Sequence, residues 1–168
     1  MDFNFRAGGF HRTIKYRGVF DFDGFYKYVV KWIKDHDYDF YEKKVWDYPP
    51  YRIHYLEGRK KISFMTMFYI RPEIWVWDMK PVEIVKDGVV KHLVHASMKV
   101  VIDGGFIIDY DGDFEKSPGL VKIREFLIMK IMYHEMFIKW YDYSDYFLHD
   151  FMTDLKKYLE METATSAY

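Results

Sequence analysis

The sequence predicts a single α+β domain, an antiparallel sheet covered by one N-terminal helix and one or two C-terminal helices. Three features carry this reading. A short strand-like run is followed by a helical stripe, the middle of the chain is dense in aromatic and β-branched residues broken by turn signals, and helical periodicity returns in the last third. At 168 residues the chain can bury one substantial core but not two. No composition break or internal repeat divides it, so residues 1–162 form one domain and 163–168 a frayed tail.

The first strand is expected between Phe10 and Phe22, where Ile14, Tyr16 and Val19 interleave with basic residues. The period then lengthens. Phe25, Tyr28, Val29, Trp32, Ile33 and His36 fall on one stripe of a helix whose outer face takes Lys27, Lys31 and Lys34. Asp21 and Asp23 stand where the strand ends and the helix begins, and carboxylates there serve as helix caps because the first amides lack partners.

Strands are expected over 38–46, 51–57, 60–70 and 73–79, with the Pro49-Pro50 pair, Gly58 and Pro72 as punctuation. Two hairpins follow, one turning at Lys86-Asp87-Gly88 and one at Asp103-Gly104-Gly105, and local pairings of this kind make the sheet antiparallel. Ser117 is the expected cap of the next helix, with Pro118 in its first turn. Leu120, Ile123, Leu127, Ile131 and Ile138 are its buried candidates. Ser144 is expected to recap the chain before a final amphipathic helix carrying Phe147, Phe151, Leu155, Tyr158 and Leu159. The element order resembles the helix-grip arrangement of START-like domains, which implies a curved sheet around a long C-terminal helix and often an apolar cavity, although only one helix follows the first strand here.

Composition narrows the function classes. With 25 basic and 26 acidic residues the net charge is -1, so no global field draws the protein to nucleic acid or an anionic membrane. Nucleic acid is therefore not expected as a partner. The absence of cysteine removes disulfides and thiolate chemistry. No apolar run approaches the ~20 residues of a membrane span and the N-terminus lacks a leader pattern, which makes a soluble cytoplasmic protein the expectation.

Catalytic and metal signals stay incomplete. The acidic run Asp109–Glu115 has its glycine, Gly112, at the fourth position and Leu120 at the twelfth, so it does not meet the EF-hand pattern and reads as a turn. Of seven histidines, His92 and His95 are three apart on a strand and face opposite ways, and His134-Glu135 lacks the second histidine of a zinc helix. No GxSxG elbow or phosphate loop is present. No catalytic residue, metal ligand or cofactor is assigned, and an enzyme using Asp21, Asp23 and a histidine is the least favoured reading.

Aromatic residues are the unusual feature, 16 Tyr, 15 Phe and 5 Trp. In EIWVWDM, Trp75 and Trp77 share one strand face and Ile74 and Val76 the other, so the strand is either covered on both sides or bears an exposed aromatic patch. Phe68, Trp75, Trp77, Met98 and Met132 are the candidate lining of a site for an apolar small molecule or a protein partner, although core packing accounts for them as well. The alternative is an assembly protein that associates with copies of itself through a strand edge and that aromatic patch. Basic residues Lys43, Lys44, Arg52 and Arg59-Lys60-Lys61 near Tyr41, Trp46 and Tyr51 fit solvated strand edges, or a nucleic-acid surface in a minority reading.

Taken together, FDFDGFY, YDFYEKK, IWVWDMKPVEIVKDG and YLEMET resemble a small family of uncharacterised archaeal proteins. The resemblance implies one intact domain in an archaeal cytoplasm and carries over no activity, cofactor or site residue.

Overall fold

The structure, a computed structural model, describes residues 9–86 and 89–160. It is an α+β domain built on an open five-stranded antiparallel sheet. The strands are β1 (Phe10–Phe20), β2 (Asp39–Tyr48), β3 (Tyr51–Lys61), β4 (Thr66–Lys86) and β5 (Val89–Ile108), in the order β1-β5-β4-β3-β2. Helix α1 (Phe22–Asp35) joins β1 to β2 and so carries the chain from one sheet edge to the other. After β5 come a 3₁₀ turn (Asp113–Lys116), α2 (Pro118–Phe126), two π-helical segments (Leu127–Met132 and Glu135–Trp140) and α3 (Tyr141–Tyr158). Among the described residues no helix is long and apolar enough to cross a membrane.

One face of the sheet is the core. Ile14, Val100 and Ile74 stand opposite one another across β1, β5 and β4, and all three are buried. Helix α1 lays Phe25, Val29, Trp32 and Ile33 on this face, and α3 adds Leu148, Phe151 and Leu155. The indole of Trp32 donates to Asp154 Oδ2 at 3.0 Å and ties the two helices. Asp21 is the N-cap of α1, accepting from Gly24 N at 2.9 Å, while Asp23 sits exposed in the first turn, 3.8 Å from Arg52. Ser117 caps α2 through Leu120 N.

Several boundaries differ from the sequence reading, each for a tertiary reason. Asp103-Gly104-Gly105 is no turn but the inside of β5. A Cβ at Gly104 would lie 2.9 Å from Leu148 Cδ2, so the glycine lets α3 approach the sheet closely. Gly58, read as punctuation, lies inside β3 for the same reason, with Ile33 of α1 pressed against it. Residues 60–70 and 73–79 are not separate strands, because β4 runs through Pro72, and the turn after β3 is instead built at Ile62–Met65. Proline has no amide to donate, and the pairing of β3 with β4 lapses between Tyr55↔Glu73 and Gly58↔Ile70 without a change of register. Ser144 recaps nothing; it is buried within α3. Ile123, Ile131 and Ile138, expected in the core, are each more than half exposed, because α2 and the π-helical segments lack a covering layer over these residues. The turn expected at Asp87-Gly88 and the tail expected at 163–168 lie outside the described residues.

Candidate functional site

Neither α1 nor α3 touches the second face of the sheet, and most of its side chains remain half-exposed. Strand alternation places every second residue there. One row across it reads Lys15, Lys99, Trp75, Ile53 and Trp46 from β1 to β2. The next reads Thr13, Val101, Glu73, Tyr55 and Lys44, and a third brings His11, Asp103, Arg71, Glu57 and Tyr41 to the same face. Trp77, Tyr51 and Tyr48 lie two residues along from the first row.

At one end these rings form a groove of about 520 Å³ lined by Trp46, Tyr48, Tyr51, Ile53, Trp75 and Trp77. Its size falls in the range of small-ligand sites. Trp46 is 48% exposed, and Lys44 Nζ stands 4.2 Å from the centre of its ring. Trp75 is fixed by an edge-on contact with Tyr55 and by donating its indole N–H to Glu73 at 3.3 Å. The walls are therefore oriented and partly wet, the state in which tryptophan offers one dry face to a ligand.

Beside the groove lies a charged cluster. Glu57, only 2% exposed, is met by Lys43 and Arg59 at 2.8 Å and by Arg71 at 2.9 Å. Burial alone would raise its pKa, but hydrogen bonds from Lys43, Arg71 and Arg59 outweigh it and hold the carboxyl at about 2. The β2 bulge between Glu42 and Lys44 places Lys43 here, and the lapse of pairing at Pro72 lies beside Glu57.

The five residues predicted to line a site are divided by the sheet. Trp75 and Trp77 line the groove. Phe68 and Met98 are buried on the opposite, core face, where Phe68 stacks on Tyr143 at 4.9 Å, and Met132 packs against the core's rim. Sequence reading missed Glu57 and its cations as a unit. The available signal was Glu57 and Arg59 in YLEGRKK, two apart and so on one strand face; Arg71 needed the register.

The acidic run Asp109–Glu115 is tied into the fold. Asp109 accepts from Arg124 at 3.0 Å and from Phe114 N, pinning the turn before α2. Among the described residues no group of three or more histidine and carboxylate side chains is placed to hold a metal. His54 lies on the core side, its ring 5.4 Å from Phe22 and 5.1 Å from Tyr26, with both ring nitrogens buried and without a hydrogen-bond partner. Burial lowers its pKa, and Arg52 adds to this against the pull of Glu42.

The fold and site together define a single-domain α+β protein with one aromatic sheet face that no described helix covers. Comparison with protein-family models, curated proteins and solved structures finds no match for the chain.

Proposed function

We propose that this protein is a non-catalytic binding domain whose ligand site is the aromatic groove on the open face of the sheet. The single observation behind it is the collection of Trp46, Trp75 and Trp77, three of the five tryptophans, on the uncovered face rather than in the core. Trp46 is 48% exposed and Trp75 and Trp77 are half-buried; rings left partly in water forgo part of the stabilisation that burial gives, and a bound apolar or aromatic group restores it. Titration with an uncharged apolar fluorescent dye such as Nile red tests this. Saturable binding that quenches tryptophan emission and weakens in Trp46→Ala is the expected result; equal binding by that variant removes the groove from the function.

A second reading, self-association, draws on the exposed apolar residues of the α2 region. Phe126 is 59% exposed and Ile131 61%, with Ile123 and Ile138 similarly open. Sedimentation over a range of concentrations tests it, and a mass that stays at one chain rejects it.

A further inference from the structure

We infer that the open sheet face binds single-stranded nucleic acid, with bases against Trp46 and Trp75 and phosphates over Lys15, Lys99 and Lys44. The inference rests on the reading of that face as the ligand site and names the class of ligand. Three observations carry it.

The first is charge partition. The whole chain carries -1, yet the three rows described above, with Arg17, Lys43, Arg59 and Asp39 opposite Arg59 on the same face, hold seven Lys or Arg against four Asp or Glu, a local excess of three positive charges. One of the four carboxylates, Glu57, is already enclosed by cations. The expectation that nucleic acid is no partner rested on the sum over the chain, on the want of an RNP-type motif and on lysines being common at strand edges; the sum conceals this division.

The second is a like-charge pair. Lys15 and Lys99 stand directly opposite each other across β1 and β5 on the open face, and among the described residues neither forms an ion pair. Like charges directly opposite in a sheet are destabilising. Folding alone gives no reason for the arrangement, whereas a phosphate lying between the two ammonium groups relieves it.

The third is the order of residues within one row. From Lys15 and Lys99 the row passes to Trp75, Ile53 and Trp46, and five strands spaced about 4.8 Å apart span roughly 19 Å. A cationic track beside rings that are exposed, as Trp46, or half-buried, as Trp75, is the pattern that holds a strand by its backbone while its unpaired bases stack. Paired bases cannot reach the rings, so a duplex is the weaker ligand.

The test is fluorescence anisotropy of the full chain with labelled oligo-dT and oligo-U of about a dozen nucleotides, a length chosen from the usual site sizes, and with a duplex of the same length. Single strands are expected to bind and to quench tryptophan emission. Affinity should fall with salt, the log–log slope changing by roughly 0.7 for each phosphate contact. Lys99→Glu should weaken binding at least about tenfold and flatten that slope while the melting temperature holds or rises, since it removes the like-charge pair. Trp46→Ala should weaken binding by about tenfold or more through lost stacking and leave the slope unchanged. Failure of single strands to bind at low salt, tighter binding of the duplex, equally tight binding of polyglutamate, or indifference to both substitutions overturns the inference. If the oligonucleotides fail but the apolar dye still binds in a Trp46-dependent way, the groove remains a ligand site and only its ligand class is wrong; if the dye fails too, both fall.

Discussion

Nε of Arg71 on β4 lies 2.9 Å from Oε1 of Glu57 on β3, joining the two strands where Pro72 interrupts their pairing. Lys43 from β2 and Arg59 from β3 complete the shell. Because the carboxyl's pKa is depressed in the fold, the cluster stabilises fully above the unfolded value near pH 4.5 and loses that contribution as pH falls towards about 2. The cations reach into solvent, so screening reduces the benefit to about 2 kcal/mol rather than the full value of the shift. Glu57→Gln, which leaves three cations crowded without their anion, should cost about 3 kcal/mol at pH 7 and much less at pH 2.5. Urea denaturation at both values checks this, and a cost independent of pH contradicts it.

Gly104 lets Leu148 of α3 lie close against the sheet, since a Cβ at that position would stand 2.9 Å from Leu148 Cδ2. Gly104→Ala should destabilise by about 1–3 kcal/mol through overpacking. Leu148→Ala should cost about 2–5 kcal/mol by opening a cavity. Since the added methyl occupies part of the space that Leu148 vacates, the double variant should be more stable than the sum predicts. Thermal or urea unfolding of the four proteins measures the coupling, and strict additivity shows that the two residues are not in contact.

The sequence made some of this architecture readable and hid the rest for definable reasons. Helix α1 was legible because its stripe from Phe25 to Ile33 and its cap Asp21 are local signals pointing the same way. That Trp75 and Trp77 share a face was legible from alternation; that the face is open was not, since a period of two does not say which side another element covers. The Asp103-Gly104-Gly105 step carried turn chemistry, and only Leu148, more than forty residues away in the chain, shows why glycine is needed in a strand. Ile123, Ile131 and Ile138 kept an apolar pattern that the described residues leave more than half exposed, a difference no periodicity reports. Half of the Glu57 cluster was written in Glu57 and Arg59, and the other half depended on the register with β4, which brings Arg71, and on the bulge of β2, which brings Lys43.

His54 makes a pH prediction of the opposite origin to that of Glu57. Its imidazole is held neutral by burial between Phe22 and Tyr26, so its folded pKa lies below the unfolded value of 6.5. Above that value its protonation does not affect stability. As pH falls below 6.5 the unfolded chain takes up a proton that the native ring resists, and stability declines. His54→Phe removes two unpaired buried nitrogens and should raise the melting temperature, by more at pH 5.5 than at pH 7.5. A gap between variant and parent that is the same at both values excludes His54 as the source.

The two faces of the sheet should respond differently to the same kind of truncation. Phe151, fully buried on the core face, should cost about 3–5 kcal/mol when changed to alanine. Trp46 is a larger ring, yet half of it is already in water on an edge strand, and its main described contact is the cation of Lys44. Trp46→Ala should therefore cost less than about 1 kcal/mol, within the range of surface substitutions. That contrast separates retention for folding from retention for binding: a ring whose loss leaves the fold intact but abolishes ligand quenching belongs to the site. If Trp46→Ala instead unfolds the domain as Phe151→Ala does, the ring belongs to the packing of β2 against β3, and the groove loses its strongest claim to be a binding surface.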